Sequence, residues 1–412
     1  MIRRLTIVTQ WYPPEQAPFG RMMQELAADL AARGWDVTVI TGFPNHPGGE
    51  VFGGYRKRWC LEEWDQGIRV LRVWIATSKA RSLASRLATF LSFTLTSTWR
   101  SLREPGGGVL FAVLQPLSVG FTLPVAARLR GRRLVFNLQD LHPDTQIRLG
   151  MVRNRTLIGA LLWMERLAYR HCAALTCICE PFRAHSLARG APAGRVEVIE
   201  NWIDTMRVRP ADTGVEIRRA AGIPEDAFVV LWAGTLGHVS GAEMVVETAA
   251  QLRTEPRIWF LVIGEGPLRD RLVEKTRTLD LDNVRFLPFQ PEGHLLAVQN
   301  AGNVSLVTLD SSFAQSSVPS KVLAYMAAGR AVVAAVAERS PTAALLEEAG
   351  CGRRVDPGDA VALAREIGAL AADPVACREL GRRARIHAVE RLSREAAVRR
   401  YDRLFLALLG GA

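Results

Sequence analysis

The sequence predicts an α/β fold made of two Rossmann-like domains, each with a parallel sheet covered by helices. Short apolar runs alternate with stretches of helical periodicity, which is typical of βα units. A polar stretch near residues 200–226, with Pro210, Gly214 and Pro224, interrupts this alternation. The 412 residues are enough for two separate hydrophobic cores. We therefore place a linker in this polar stretch.

The first series of apolar runs defines a predicted N-terminal domain, residues 1–205. Its first helix is predicted where Met23, Leu26 and Leu30 share one helical face, and Gly34 ends that helix. The uncharged segment Val109–Ala127 is long enough to span a membrane, but its internal prolines and glycine predict a strand followed by a helix. The predicted strands are 4–9, 36–40, 68–75, 109–114, 133–138, 173–178 and 195–199.

The second series defines a predicted C-terminal domain, residues 206–385, followed by a predicted C-terminal helix, residues 386–412. Two Arg-rich helices are predicted to close the chain, near 360–371 and 376–407. In open α/β sheets, ligands bind beyond the carboxyl ends of the strands, so two such sheets predict a site in the cleft between them. The predicted strands are 228–233, 258–263, 284–287, 303–308 and 331–335.

Positive charge is concentrated in the first half of the chain. The net charge is +11, and residues 1–205 hold 26 Lys+Arg against 16 Asp+Glu, whereas residues 206–412 hold 26 against 25. This asymmetry predicts an anionic partner, either a membrane surface or a phosphorylated substrate. No nucleic-acid recognition module accompanies the charge, which argues against DNA or RNA. The apolar stretch Leu87–Trp99, flanked by arginines, is predicted to lie on a membrane surface or to form a core helix.

The six cysteines predict neither a metal site nor a disulfide framework. None forms a CxxC pair, and no His/Cys cluster has zinc spacing. Arg3-Arg4 is followed by only a short apolar run, which is not typical of a signal peptide. We therefore expect buried thiols in a reducing cytosol.

Three glycine-bearing turns each follow a predicted strand, and a glycine turn lets backbone N–H groups approach a phosphate. They lie at Pro13–Arg21, which contains Gly20, at Gly234–Gly237, and at Gly264–Pro267. None matches the dinucleotide or P-loop fingerprint. A plain strand-to-helix turn explains any one of them alone, but three after strand ends indicate a phosphate site.

The segment Pro319-Ser320-Lys321 opens a short predicted helix that ends at Gly329. A serine hydroxyl, helix-start N–H groups and a lysine would converge there, which favours a diphosphate cradle with Lys321 as its point charge. The equally supported alternative is an N-cap serine beside a solvated lysine.

Together these segments resemble the family 4 glycosyltransferases, and most of all the colanic-acid and O-antigen branch of bacterial enzymes. The resemblance implies a GT-B fold, with two facing domains and a last helix that crosses back to the first. It also implies a nucleotide-diphospho-sugar donor, retention of anomeric configuration, no catalytic metal and no cofactor. The segments that carry it, in order, are Pro13–Gly20, Arg33–Val39, Asn137–Asp144, Val198–Asp204, Gly264–Pro267 and Pro319–Val333.

The resemblance also implies roles for individual residues. Lys321 would stabilise the leaving phosphates, and Gln139 and Asp140 would face the transferred sugar. Gly20 would lie under the donor phosphates from the opposite domain, and the loop around Phe289 would edge the base. The remaining implied donor contacts are Gly234, Thr235, Leu236, Gly237, Gly264, Pro319 and Ser320.

Several positions depart from the family pattern. The usual His-Asp turn is Gln139-Asp140 here, and the usual carboxylate pair falls on Ser316 and Ala324. The arginine and lysine of the first phosphate turn are also missing from residues 235–241. These departures leave Lys321 as the predicted phosphate-binding cation.

Other polar residues each have two interpretations. His142 is either a sugar contact or a surface histidine, and Asp140 is either functional or a turn residue. Glu165 is predicted to lie on a solvated helix face or in an ion pair. Glu338 is either a sugar contact or the partner of Arg339 in a loop salt bridge.

The predicted function is transfer of a sugar to a glycan acceptor linked to polyprenyl diphosphate, in surface polysaccharide synthesis. The expected location is the cytoplasm, peripheral on the inner face of the plasma membrane. One alternative is a nucleotide-sugar 2-epimerase, which the weak set of carboxylates disfavours. Another is a non-catalytic nucleotide-sugar-binding homologue, which the missing carboxylate pair favours.

Overall fold

The computed structural model of the protein describes residues 3–410, except residues 16, 57, 81, 149 and 311–318. The chain forms two compact units. The first contains Met1–Glu200 and Ala397–Ala412, and the second contains Asn201–Ala396. Each unit has its own sheet, so the predicted class of two Rossmann-like domains is confirmed.

The first unit has an eight-stranded sheet in the order β3-β4-β2-β1-β5-β6-β7-β8. Only β3 is antiparallel to its neighbour among these strands. The strands are β1 Arg4–Val8, β2 Asp36–Gly42, β3 Cys60–Asp65, β4 Ile68–Val73, β5 Val109–Val113, β6 Arg133–Leu138, β7 Ala174–Cys177 and β8 Val196–Val198. The helices are α1 Pro18–Ala32, α2 Leu83–Arg103, α3 Val119–Leu129, α4 Asp144–Arg148, α5 Arg155–His171 and α6 Glu180–Ala188.

The second unit has a six-stranded parallel sheet in the order β11-β10-β9-β12-β13-β14. Its strands are β9 Phe228–Ala233, β10 Ile258–Ile263, β11 Val284–Leu287, β12 Val304–Thr308, β13 Ala331–Ala335 and β14 Gly352–Val355. Its helices are α7 Gly214–Ala220, α8 Glu243–Gln251, α9 Arg269–Thr278, α10 Leu295–Asn300, α11 Ser320–Ala327, α12 Pro341–Ala349, α13 Ala360–Ala372 and α14 Pro374–Glu390. The last helix of the chain is α15, Arg394–Gly410.

The central strands of both sheets are apolar throughout because helices cover both of their faces. Every residue of β5 (VLFAV) and of β13 (AVVAA) is buried. These continuous apolar runs are the signal by which the sequence predicts most of the strands. The charged edge strands β3 and β14 lack that signal and were not predicted.

The predicted single helix over 376–407 is wrong, because α14 ends at Glu390 and α15 begins at Arg394. The backbone of Ile203 occupies the break. Its N–H donates to the carbonyl of Leu392 at 2.9 Å, and its carbonyl accepts from the N–H of Arg394 at 3.1 Å. At this break, hydrogen bonds within a helix are therefore replaced by hydrogen bonds to the backbone of Ile203.

The end of α15 packs in the first unit, as predicted for a helix that crosses back. The rings of Tyr401 and Phe405 lie against Phe111 of β5, with centroids 5.3 and 5.6 Å away. The indole N–H of Trp35 donates to Asp402 at 2.8 Å. The last helix thus completes the core of the first sheet.

Two further predictions are tested by the helices. Val109–Ala127 contains β5 and most of α3, so the predicted strand and helix are confirmed, and no described helix is long and apolar enough to cross a membrane. Leu87–Trp99 lies within α2, but its leucines are exposed. Its inner face is nevertheless buried and places Phe93 in the core, as the core-helix alternative predicts, and the membrane-surface alternative stays a prediction.

Candidate functional site

Lys321 lies in the first turn of α11, at the carboxyl edge of the second sheet. Its ammonium is 4.0 Å from the centroid of the Trp232 ring, and its Cδ would lie 4.0 Å from a Cβ placed on Gly234. Burial lowers the pKa of Lys321 to about 7, although the residue keeps part of its surface exposed. Among the described residues, no carboxylate forms an ion pair with it. A desolvated amine without a counter-ion is suited to receive an anion.

Two aromatic residues that the sequence analysis missed hold this lysine in place. Trp232 is the penultimate residue of β9, and its indole N–H donates to the hydroxyl of Thr308 at 2.9 Å. Tyr325, one turn after Lys321, accepts the N–H of Ala233 at 2.8 Å. Both side chains are buried, and both connect the end of β9 to neighbouring elements. The cation–π contact and the tyrosine bond together fix the lysine beside the Gly234 turn.

The two glycine turns of the second unit pack against each other through their backbones. A Cβ on Gly264 would overlap the carbonyl oxygen of Gly234. The N–H of Leu236 donates to the carbonyl of Glu265 at 2.9 Å, and the Leu236 side chain is fully buried. Close packing therefore explains Gly264, and the Leu236 amide already has a protein acceptor.

The remaining predicted donor contacts differ in their accessibility. Ser320 is exposed and is the first residue of α11, whereas Pro319 occupies the N-cap position without a side-chain cap bond. The N-cap interpretation of Ser320 is therefore wrong, and its hydroxyl lies at the surface. Thr235 is exposed, and Phe289 is 53% exposed after the end of β11.

In the first unit, Gly20 lies inside α1 rather than in a turn before it. A Cβ at this position would approach the Trp11 carbonyl group and the Tyr12 nitrogen at 3.2 Å. Close packing on the Trp11–Tyr12 backbone thus gives a structural reason for a glycine here, independent of any phosphate.

Glu15 connects two loops at this edge of the first sheet, a role that the sequence analysis missed. Its buried carboxylate accepts backbone N–H groups from Asn45 and His46, both at 2.9 Å, and from Tyr12 at 3.4 Å. Burial raises the pKa of Glu15, and these three bonds oppose the rise. The loop after β1 is therefore tied to the loop after β2.

The Gln139-Asp140 turn directly follows β6. The Gln139 amide donates to Asn137 Oδ1 at 2.7 Å, and the Asn137 amide donates to the hydroxyl of Tyr401 at 3.1 Å. The last helix thus supports the residues that precede the turn.

The Asp140 carboxyl group lies in a partly enclosed position beside His142. The Asp140 side chain is 54% exposed, and one oxygen lies 3.8 Å from Nε2 of His142. Partial enclosure raises the pKa of Asp140, and the His142 ring opposes that rise. His142 Nδ1 lies within hydrogen-bond distance of the Gln146 amide. The structure therefore places Asp140 and His142 together at the carboxyl edge.

Glu165 is fully buried, so the solvated-face alternative is wrong and the ion-pair alternative is confirmed. Its Oε1 accepts the hydroxyl of Tyr169 at 2.9 Å and lies 3.1 Å from Nε2 of His185. Arg189 lies 3.6 Å from its other oxygen and donates to Asp144 at 2.7 Å. Asp144, Glu165 and His185 are close enough to hold a metal ion, and the single Arg189 cation forms ion pairs with both carboxylates.

The other polar residues singled out in the sequence form no further cluster among the described residues. Glu338, Arg339 and Glu347 are exposed, and the described residues show no Glu338–Arg339 salt bridge. Ala324, one position of the missing carboxylate pair, is buried in α11. Ser316, the other position, lies outside the described residues.

A cavity of about 890 Å³ lies at the opposite edge of the second sheet. Its lining includes Phe228 and Ile258, the first residues of β9 and β10, together with Arg330 just before β13. Gly234 and Gly264 follow the other ends of these strands, so this cavity is separate from the Lys321 site.

Family models match two consecutive parts of the chain. Residues 19–202 match the glycosyl transferase 4-like domain, and residues 215–387 match glycosyl transferases group 1. The colanic acid biosynthesis glycosyl transferase WcaI of Escherichia coli K12 is 28% identical over 334 residues, 79% of this chain and 82% of WcaI. The resemblance stated from the motifs is thereby confirmed.

Solved structures share the fold over almost the whole chain. Sucrose-phosphate synthase from Thermosynechococcus elongatus has a TM-score of 0.75 at 19% identity and covers 100% of both chains. HepE of Anabaena, solved with UDP-glucose, has a TM-score of 0.70 at 17% identity, covering 98% of this chain and 99% of HepE. The chain therefore belongs to the glycosyltransferases that combine a glycosyl transferase 4-like domain with a group 1 domain, and it is a transferase enzyme.

Proposed function

We propose that this enzyme moves a sugar from a nucleotide-diphospho-sugar to a glycan acceptor linked to polyprenyl diphosphate, in surface polysaccharide synthesis. The observation that carries the proposal is the Lys321 ammonium, desolvated and beside the Gly234 backbone at the end of β9. A diphosphate would supply the counter-ion that the described residues do not. The naming of WcaI for colanic acid biosynthesis supports a polysaccharide acceptor, and the HepE complex makes UDP-glucose the first donor to test.

The proposed chemistry is a retaining transfer that needs no metal ion. The bond between the anomeric carbon and the diphosphate oxygen breaks, and the acceptor hydroxyl forms the new glycosidic bond. Its proton passes to the leaving phosphate. Negative charge grows on the leaving group, so Lys321 and the first-turn amides of α11 would lower the barrier by electrostatic stabilisation.

The other predicted residues have proposed roles in the same reaction. Gln139 and Asp140 contact the transferred sugar, Gly20 contacts the donor phosphates, and Phe289 edges the base. The exposed ring of Phe289 and the exposed Asp140 carboxylate are accessible for such contacts. A lipid-linked acceptor places the enzyme at the cytoplasmic face of the plasma membrane, which agrees with the basic first half of the chain.

A thermal-shift panel of UDP-, GDP- and ADP-sugars tests donor binding, because a ligand that binds only the folded state raises Tm. We expect one base to raise Tm in a concentration-dependent way. If no nucleotide sugar raises Tm at millimolar concentration, the proposal is wrong.

Product analysis with a labelled donor then tests the reaction. A new glycosidic linkage on a lipid acceptor supports transfer, whereas a changed sugar nucleotide indicates epimerisation. Binding without turnover toward any lipid-linked acceptor would favour the non-catalytic alternative.

A further inference from the structure

The outer surface of α2 has the reverse of the usual helix polarity. Its buried residues are mainly hydroxyl-bearing, namely Ser92, Thr94, Thr96, Ser97 and Ser101. Its leucines face outward at four-residue spacing, with Leu83 63%, Leu87 49%, Leu91 55% and Leu95 66% exposed. We call these four residues the leucine stripe. A helix of a soluble domain normally buries its apolar side chains against the core, so this helix is built for an apolar partner outside the unit.

The buried hydroxyl groups explain how α2 can pack with its polar face inward and its leucines outward. Thr96 donates to the carbonyl of Trp74 at 2.9 Å, and Ser92 accepts the N–H of Ala76 at 2.9 Å. The hydroxyls of Thr94 and Ser118 lie 2.6 Å apart and join α2 to the start of α3. Polar contacts therefore fix the inner face of α2, and its orientation is specific.

Neighbouring helices extend the exposed apolar surface. On α3, Phe121, Val125 and Leu129 are 49%, 57% and 69% exposed, again at four-residue spacing. On α5, Trp163 is 56% exposed, and its ring lies 6.3 Å from that of Phe121. Together with the leucine stripe, these residues form what we call the apolar face. Exposed apolar patches of this extent mark interaction sites.

The exposed charged residues of α2, α3 and α5 are all basic. No Asp or Glu occurs in α2 or α3, and the only one in α5 is the buried Glu165. Arg86, Arg128, Arg155 and Arg166 are exposed on these helices, and the described residues provide no carboxylate partner for them. A second copy of this chain would oppose like charges, whereas an anionic lipid surface would neutralise them.

Tryptophans border the same surface at the end of α2. Trp59, which is 56% exposed, lies 5.7 Å from Trp99, and Arg103 covers the Trp99 ring at 4.7 Å. Amphipathic indole rings and arginines with apolar stems are favoured at the boundary between lipid tails and water. The border is thus chemically suited to the headgroup layer.

We propose that the apolar face of α2, α3 and α5 seats the first unit on an anionic lipid leaflet, with the leucine stripe inserted among the acyl chains. The helices lie in the plane of the interface, as amphipathic helices with a cationic border do. This inference rests on the proposed function in that a lipid-linked acceptor requires the enzyme at the leaflet. It goes further by naming the surface that contacts the lipid. It also states that apolar insertion, in addition to charge, holds the protein at the leaflet.

Sedimentation of the full chain with vesicles tests the proposal. The vesicles contain phosphatidylcholine alone or with about a third phosphatidylglycerol. We expect binding to the anionic vesicles that persists in about 0.5 M salt, because salt screens charges but does not weaken apolar insertion. The variant L91Q/L95Q should lower the vesicle partition coefficient at least about tenfold.

The matched control is V361Q/V375Q, which changes two valines of the second unit that are 65% and 67% exposed. It should bind vesicles as the wild type does. Wild-type partitioning of L91Q/L95Q, or loss of all binding in high salt, would overturn the proposal. A wild-type dimer in light scattering that L91Q/L95Q converts to a monomer would assign the face to a second copy instead.

The donor site is checked in the same proteins by the Tm shift with UDP-glucose, which needs no lipid. L91Q/L95Q should keep that shift. If L91Q/L95Q shows a normal Tm shift and binds vesicles as the wild type does, only the proposed lipid contact is wrong. If the wild type shows no Tm shift with UDP-glucose, only the proposed donor is wrong.

Discussion

At the carboxyl edge of the second sheet, Lys321 has an indole ring beside it and no carboxylate partner among the described residues. At the corresponding edge of the first sheet, the buried carboxylates have hydrogen-bond or ion-pair partners within the protein. Glu15 accepts three backbone N–H groups, and Glu165 is surrounded by Tyr169, His185 and Arg189. The second unit thus has a cation without an ion-pair partner among the described residues, whereas the first has carboxylates that connect its loops and its helices.

This difference separates the charged residues that stabilise the fold from those that serve function. When one partner of a buried ion pair is removed, the free energy of unfolding falls, because the other charge is left buried without compensation. A charge that waits for a ligand destabilises the free protein, and its removal should cost activity only. Four predictions test this division.

The largest effect is expected for Glu165→Ala in the first unit. Removing Glu165 from this buried ion network leaves the Tyr169 hydroxyl without its acceptor and leaves Asp144 as the remaining carboxylate beside His185 and Arg189, so we expect a loss of about 3–5 kcal/mol in the free energy of unfolding. Urea denaturation measures it. The control Glu180→Ala breaks an exposed pair with Arg183 and should cost at most about 1 kcal/mol. If both variants lose the same free energy of unfolding, the buried network is no more stabilising than the exposed pair.

Lys321→Ala should lower kcat at least about a hundredfold, because the leaving diphosphate loses its cation. The Tm of the free protein should not fall, since burial opposes the charge of this lysine. The control is Lys275→Ala, which changes a lysine of the same unit paired with Glu247 at 2.6 Å. Turnover of Lys321→Ala within a few-fold of the wild type would assign the lysine no catalytic role.

Tyr325→Phe should have an intermediate effect on stability. It removes the acceptor of the Ala233 N–H and leaves that group unsatisfied, at a cost of about 1–2 kcal/mol. Donor affinity should fall as well, because the same bond positions the Gly234 turn beside Lys321. A variant with normal stability and normal affinity would show that the turn is held by other contacts.

The smallest effect is a pH dependence of donor binding. The pKa of Lys321 is about 7 in the free protein, so the amine is mainly charged below this pH and mainly neutral above it. A diphosphate favours the charged form, so binding above pH 7 takes up a proton. We expect the affinity for UDP-glucose to weaken roughly tenfold between pH 6.5 and 8.5.

Calorimetry in buffers of different ionisation enthalpy measures the proton uptake. UDP-glucose is preferred to UDP because each of its phosphates carries one ester and one anhydride bond and therefore does not titrate in this range. Lys321→Met should abolish the pH dependence, and its persistence in that variant would assign the titration to another group.

The sequence predicts well those features that depend on local patterns. Apolar runs locate the central strands, and Pro319-Ser320-Lys321 correctly marks the start of α11. The strands β3 and β14 were missed because edge strands carry charged residues and depend on a neighbouring strand for their hydrogen bonds. The break between α14 and α15 was missed because the residue that occupies it, Ile203, is distant in sequence.

The same limit applies to the candidate site. Lys321 is visible in the sequence, but its contact with Trp232 and the support from Tyr325 depend on how β9 and α11 pack. Glu165 was assigned two environments from its helix alone, and only its partners on α4 and α6 decide between them. The roles of Gln139, Asp140, Gly20 and Phe289 stay predictions.

The position of α15 has a practical consequence for anyone who divides this enzyme. A fragment that stops at Glu200 would lack Tyr401 and Phe405, and Phe111 and Trp35 would lose the rings and the carboxylate that cover them. The first unit is therefore assembled from two distant pieces of polypeptide. A soluble version of it needs residues 394–410 restored, either through a short artificial connection or as an added peptide.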